Sequence, residues 1–133
     1  MNNLKDKEIN TTALAYIGDA VYEVYIRGHM LKTRGFNVDA LHKKAIDYVS
    51  ATGQAKAMKA LLKANFLSDE EKILCRRAKN RKIISKPRYV EPMVYKNATA
   101  FEALIGKLYL DEMLSRLEEV VDFAIKTVEE KNE

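Results

Sequence analysis

The distribution of proline and of apolar residues most constrains the fold of this chain. Its only two prolines, Pro87 and Pro92, lie close together, so the segments on either side contain no proline that would break a helix. No segment shows the strict alternation of a half-buried strand. Apolar residues instead recur at intervals of three and four, a spacing typical of a helix with one buried face, as in Leu14, Ile17, Val21, Val24 and Leu31. The sequence therefore predicts an all-α fold, a bundle of about six or seven helices.

Polar residues that favour helix starts indicate where some of these helices begin. Ser68 and Glu71 form the pattern of a capping box, in which the hydroxyl and the carboxylate bind free amides of the first turn. The same pattern at residues 115–118 predicts the start of the last helix. Between them we expect an irregular stretch from about 82 to 92, with the next helix beginning near Asn97.

Length and composition restrict the class of protein. A chain of 133 residues has the size of one domain, and 47% apolar residues suffice for a buried core. The only cysteine, Cys75, cannot form an intramolecular disulfide, which is typical of a reducing cytoplasm. The N-terminus is polar, and no apolar run has the length of a membrane span. We therefore expect one domain over residues 1–133, located in the cytoplasm.

Positive charge is concentrated in one segment, although the net charge is only +4. Residues 76–88 contain no acidic side chain and seven basic ones, with Asn80 among them: Arg76, Arg77, Lys79, Arg81, Lys82, Lys86 and Arg88. Such a run is suited to contact with the phosphates of a nucleic acid. It is equally typical of a solvated helix face or loop, and the sequence pattern leaves both interpretations open.

Two glycines inside otherwise strong helical patterns lie near carboxylates. Gly18 and Gly106 each cost about 1 kcal/mol relative to alanine in a helix, which predicts that two backbones approach closely there. Asp19 follows Gly18, and Glu102 precedes Gly106 by one turn. Acids at the border of a buried face are costly unless paired or metal-bound. The two carboxylates therefore serve either in structural caps and ion pairs or together in a divalent-metal site.

Two segments resemble the motifs of ribonuclease III. Residues 14–21, LAYIGDAV, resemble the signature helix of that family, and residues 100–106, AFEALIG, resemble its second motif helix. The resemblance covers almost the whole chain, without room for the double-stranded-RNA-binding domain of the ordinary enzymes. The short length and the segment RRAKN at residues 76–80 resemble the Mini-ribonuclease III branch.

The resemblance implies a ribonuclease III endonuclease domain that forms a homodimer and cuts double-stranded RNA with Mg²⁺, for which Mn²⁺ can substitute. It implies products with 5′-phosphate and 3′-hydroxyl ends and, for the Mini branch, maturation of 23S ribosomal RNA precursors, without a membrane or a nucleotide cofactor. Asp19 and Glu102 match the family's metal-binding, catalytic acids. We expect RNA contacts from the basic run, namely Arg76, Arg77, Lys79, Asn80, Arg81, Lys82, Lys86 and Arg88.

Two positions depart from the family pattern. Ordinary ribonuclease III has a glutamate where this chain has Ala15 and an aspartate where it has Thr99. The metal shell would therefore contain fewer carboxylates, and the number of metal ions stays open. The departures also leave a second hypothesis, a non-catalytic module for RNA binding or ribosome assembly. A third, a helical DNA-binding regulator, has no strong helix-turn-helix pattern to support it.

Overall fold

A computed structural model describes residues 9–81 and 89–130 of the chain. In these two ranges it contains six α-helices and no strand, which confirms the predicted all-α fold. The helices are α1 (Thr11–Arg34), α2 (Val38–Val49), α3 (Ala51–Lys63), α4 (Asp69–Asn80), α5 (Pro92–Leu110) and α6 (Leu114–Glu130).

Helix α5 forms the centre of the bundle. It packs against α1, α3, α4 and α6, so that most of its surface is covered by other helices. Phe101, Leu104 and Ile105 are completely buried, and the ring of Phe101 meets that of Tyr22 in α1 edge to face at 4.8 Å between centroids. Because apolar burial stabilises a fold roughly in proportion to area, α5 is the element on which the other helices assemble.

Helices α1 and α5 cross in close contact at the two glycines. A Cβ atom built on Gly18 would lie 1.7 Å from the carbonyl oxygen of Glu102, and one on Gly106 would lie 2.0 Å from that of Leu14. No other residue type fits at either position, since a side chain would overlap the backbone of the facing helix. The predicted close approach of two backbones is confirmed, and the facing helices are α1 and α5.

The buried face of α1 differs from the predicted one in its second half. Leu14 and Val21 are buried as expected, whereas Val24 is 71% exposed and Leu31 is 47% exposed. Ile26 and Met30 take the buried positions instead. The predicted stripe left out Ile26 and Met30, and its spacing falls behind the 3.6 residues per turn of an α-helix, so that its later members lie on the outer side.

Helix starts were predicted with mixed success. The capping box at Ser68 and Glu71 is present in both directions at the start of α4, which confirms that prediction. The box at residues 115–118 is wrong, because α6 begins at Leu114 and Ser115 lies inside its first turn. Helix α5 begins at Pro92 rather than near Asn97, since a proline in the first turn removes no helical hydrogen bond.

Arg116 connects the start of α4 with the start of α6. Its guanidinium donates to both carboxylate oxygens of Glu71, at 2.9 and 2.8 Å, and to the carbonyl oxygen of Phe66 at 2.7 Å. It also lies over the Phe66 ring, 4.7 Å from the centroid. The hydrogen bonds from Arg116 hold the pKa of the Glu71 carboxyl below its usual value. This cluster therefore fixes two helix ends with one charged group.

Replacing Gly18 by alanine tests the backbone contact between α1 and α5. We expect Gly18→Ala to lower the free energy of unfolding by about 3 kcal/mol or more, at the upper end of overpacking effects. The matched control is Gly28→Ala in the same helix, where a Cβ would meet nothing within 4 Å. That variant should gain up to about 1 kcal/mol from helix propensity. Urea denaturation measures both, and equal stability of the two variants would contradict the close contact.

Replacing Arg116 by methionine tests the cluster between α4 and α6. We expect Arg116→Met to lower the free energy of unfolding at pH 7 by about 2 kcal/mol, as for hydrogen bonds to a charged group. Because the pKa of Glu71 is lower in the folded state, its stabilising effect exists above the usual glutamate pKa of 4.5 and is lost as the pH falls through the folded value. The difference from the unsubstituted protein should therefore shrink in acid.

The control for Arg116 is Lys107→Met. Lys107 pairs with Asp111 at 3.3 Å within one helix turn, and its side chain is 44% exposed, so its removal should cost less than about 0.5 kcal/mol. A cost for Arg116→Met as small as that, or one independent of pH between 7 and the acid range, would show that the cluster does not stabilise the fold.

Candidate functional site

Asp19 and Glu102 are brought together by the crossing of α1 and α5. Asp19 follows Gly18, and the carbonyl oxygen facing Gly18 belongs to Glu102 itself. The two side chains lie close enough to interact, since Asp19 contributes to raising the pKa of the Glu102 carboxyl. Asp19 is exposed and Glu102 is partly buried, so the pair is open to solvent on one side. We call these two residues the acid pair.

A third polar side chain, Gln54 of α3, contacts the acid pair. Its Nε2 atom lies 3.5 Å from Oδ1 of Asp19, to which it donates, and its side chain also lies close enough to Glu102 to lower the pKa of that carboxyl. We did not predict this residue from the sequence. Its position could have marked it as a candidate, because Gln54 is a polar residue within the buried stripe that continues through Ala57, Met58 and Leu61.

The acid pair brings two groups of the same charge together at a partly buried position. The pKa of Glu102 is raised to about 8, first by burial and then by its hydrogen bond to Asp19 and the negative charge of Asp19. The hydrogen bond from Gln54 acts in the opposite direction and lowers this pKa. Two carboxylates that are costly to ionise together form a site that gains from a bound cation.

The two departures from the family pattern are visible beside the acid pair. Ala15 is 7% exposed and belongs to the core. The hydroxyl of Thr99 donates to the carbonyl oxygen of Tyr95 in its own helix, at 2.9 Å. Among the described residues, no three His, Cys, Asp or Glu side chains form a group that could hold a metal. Within residues 9–81 and 89–130, the side chains that interact here are the two carboxylates and the Gln54 amide.

The basic residues of α4 surround a concavity next to the start of α1. Arg76, Arg77, Asn80 and Arg81 line it together with Thr11, and its volume is about 400 Å³. We call Arg76, Arg77, Asn80 and Arg81, together with the neighbouring, half-buried Lys79, the α4 basic cluster. Lys82, Lys86 and Arg88 of the predicted RNA contacts lie outside the described residues.

The α4 basic cluster and the acid pair are near the same end of α1. Thr11 precedes Asp19 by eight residues, which corresponds to about 12 Å along a helix axis at 1.5 Å per residue. A nucleic-acid backbone with its regularly spaced phosphates is long enough to contact both places.

One side of α1 presents apolar residues to solvent beside Asp19. Tyr16 is 83% exposed and Val24 is 71% exposed, with the exposed Ala20 between them at the same helical phase. We call these three residues the α1 outer face. An exposed apolar stripe of this kind is typical of a contact with another protein surface.

In the described part of the chain, no helix is long and apolar enough to cross a membrane.

Comparison with known proteins identifies the family. Residues 12–113 match the ribonuclease III domain. The Mini-ribonuclease 3 of Enterococcus faecalis is 40% identical over 127 residues, covering 96% of each protein, and that of Staphylococcus aureus is 34% identical over 134 residues, covering 98% of this chain and 100% of that protein. A crystal structure of a protein from Fusobacterium nucleatum superposes with a TM-score of 0.79 at 35% identity, covering 90% of this chain and 94% of the other.

The segment that matches the domain family contains both motifs that carry the acid pair, residues 14–21 of α1 and residues 100–106 of α5. The relatives named Mini-ribonuclease 3 align with nearly the whole chain, so the likeness is not confined to the two motifs. The chain therefore belongs to the ribonuclease III family of double-stranded-RNA endoribonucleases, in its Mini-ribonuclease III branch.

Proposed function

We propose that the acid pair is the catalytic centre of this endoribonuclease and that it uses Mg²⁺. The observation that carries the proposal is the juxtaposition of Asp19 and Glu102 at the crossing of α1 and α5, two acids from different helices on a partly exposed surface. The ribonuclease III family uses a divalent metal. Carboxylate and amide oxygens are ligands that Mg²⁺ accepts, commonly through one or two carboxylates, with water in the remaining positions.

In this mechanism Asp19 and Glu102 would hold the metal through their ionised carboxylates. When bound, Mg²⁺ lowers the pKa of a coordinated water and offsets the negative charge of the scissile phosphate and the leaving oxygen. Hydrolysis would add water to phosphorus and break its bond to the 3′ oxygen, so the products that we propose carry a 5′-phosphate and a 3′-hydroxyl. The exposure of Asp19 leaves the RNA backbone free access to the pair.

The α1 outer face supports a homodimer. Tyr16 and Ala20 flank Asp19 in α1, so a second copy bound to this face would bring a second acid pair close to the first. A twofold contact presents the same surface on both subunits, and an RNA duplex has two antiparallel strands. We propose that each subunit of a twofold dimer cuts one strand.

The α4 basic cluster supports binding of RNA through its phosphates. Exposed arginines that bind phosphates release counterions, which gives affinity with little dependence on sequence and a strong dependence on salt. Double-stranded RNA is recognised mainly by its shape, through phosphates and 2′-hydroxyls. We propose that the basic run, including Lys82, Lys86 and Arg88 beyond the described residues, holds the duplex against the acid pair.

The substrate that we propose is a precursor of 23S ribosomal RNA, by likeness to the Mini-ribonuclease III branch, which implies a cytoplasmic location. Ala15 and Thr99 favour one competing function, a module that binds double-stranded RNA without cutting it. The juxtaposed acid pair argues for catalysis, because a binding module would have no use for two like charges brought close together.

Neutralising either acid tests the catalytic centre. We expect Asp19→Asn and Glu102→Gln each to abolish cleavage of a long RNA duplex in Mg²⁺, because one carboxylate is lost from the metal site. Circular dichroism and light scattering should show an unchanged fold and dimer. Asp122→Asn, at an exposed position of α6, is the matched control and should cut normally.

Cleavage at the normal rate by either Asp19→Asn or Glu102→Gln would contradict the assignment of the acid pair. Binding of the duplex by the unsubstituted protein without cleavage in Mg²⁺ would favour the non-catalytic module. A monomer in light scattering would contradict the proposed dimer and leave the assignment of the acids to the cleavage assay.

Removing three arginines tests the α4 basic cluster. We expect the combined substitution of Arg76, Arg77 and Arg81 by alanine to weaken duplex binding and to reduce its salt slope by about one for each lost phosphate contact. A control protein with alanine at Lys59, Lys63 and Lys126 loses the same charge from α3 and α6. An equal loss of slope in both proteins would show a general charge effect and contradict a specific RNA contact.

A further inference from the structure

We infer that Gln54 is a positioning residue of the catalytic centre, whose side-chain amide holds Asp19 and Glu102 in place to receive the divalent metal. The inference rests on the proposed function, since it requires that the acid pair binds the metal. It assigns a role to a third helix, α3, which contributes neither of the two motifs.

The burial of Gln54 requires an explanation that packing does not provide. Its side chain is 2% exposed and shares the inner face of α3 with the completely buried Ala57, Met58 and Leu61. An amide removed from water costs free energy unless it is hydrogen-bonded. This amide faces the acid pair, with Nε2 donating to Oδ1 of Asp19 at 3.5 Å and with Glu102 close enough for the amide to lower its pKa.

The backbone at Gln54 is held rigidly by contacts on the other side of α3. The hydroxyl of Ser50 caps the helix by accepting from the amide of Gly53 at 3.2 Å. A Cβ atom on Gly53 would lie 2.3 Å from the carbonyl oxygen of Asp47 in α2. The residue preceding Gln54 therefore packs directly on the backbone of α2, and the amide of Gln54 projects from a fixed point.

A neutral donor suits this place better than a further acid. Asp19 and Glu102 already repel each other, and a third carboxylate would add to that repulsion before any metal is bound. The amide of Gln54 donates to the carboxylates without adding charge, and hydrogen bonds to ionised groups are stronger than neutral ones. At 3.5 Å the contact with Asp19 is long, which leaves the carboxylate free to bind a cation while its direction is restrained.

The test measures metal binding directly, with Mn²⁺ alone as the probe and the full chain without RNA. We expect Gln54→Met, which keeps the volume of the side chain and removes its donors, to weaken Mn²⁺ binding about tenfold, as for other groups that orient metal ligands. In cleavage assays the Mg²⁺ concentration for half-maximal rate should rise similarly, while the KM for the duplex stays unchanged. Gln54→Asn retains the amide but retracts it, so we expect a similar loss.

Leu61→Ala is the matched control, because it opens the same buried face of α3 and lowers stability without touching the acid pair. Its folded form should bind Mn²⁺ like the unsubstituted protein. If Gln54→Met does not fold, Gln54→Asn decides alone, since it preserves a buried amide. Unchanged Mn²⁺ affinity in the folded Gln54 variants, with affinity lost in Asp19→Asn, would overturn the role of Gln54 and leave the proposed function intact. Failure of the proposed function is a different result, namely Mn²⁺ binding that Asp19→Asn does not change.

Discussion

Helices α1 and α5 approach each other so closely at Gly18 and Gly106 that each glycine faces a backbone carbonyl of the other helix. The carbonyl facing Gly18 is that of Glu102, and Asp19 is the next residue after Gly18. The contact that excludes every side chain at the two glycines is therefore the one that brings the two carboxylates together. A wider spacing between the helices would separate the acids.

This arrangement places like charges together at the expense of the free folded chain. Burial first, and then the neighbouring Asp19, raise the pKa of Glu102, so the carboxyl keeps its proton to higher pH than an isolated glutamic acid. The rest of the fold offsets the cost through the buried core around α5 and through contacts such as the Arg116 cluster between α4 and α6. A divalent cation bound to both carboxylates would offset their repulsion, so folding and metal binding favour the same geometry.

Local sequence patterns predicted those features that depend on one helix or on backbone sterics. A glycine in a strong helical pattern indicates a close contact wherever its partner lies, and the box at Ser68 acts within a single turn. Predictions failed where a tertiary contact decides between equivalent residues. Val24 and Ile26 are both apolar and both in α1, but only packing against the bundle determines which one is buried. Ser115 has the pattern of a cap, yet the chain enters α6 at Leu114.

The same distinction between local pattern and tertiary contact applies to the two acids and to Gln54. Asp19 and Glu102 were identified because the glycines and the motif resemblance marked their helices. Gln54 was not predicted, because its role depends on how α3 packs against both acids. A single glutamine in an apolar stripe belongs to no motif. The restraint of α3 by Gly53 against α2 is likewise a property of the assembled bundle.

The central claim is that Asp19 and Glu102 jointly bind the divalent cation that cuts the RNA. The most direct test is a crystal structure of the protein with Mn²⁺, in which the anomalous signal locates the ion. We expect one strong peak between the carboxylates of Asp19 and Glu102, with oxygen atoms of both in its coordination shell. Carboxylates that stay in contact with each other while the ion binds elsewhere, or not at all, would contradict the account.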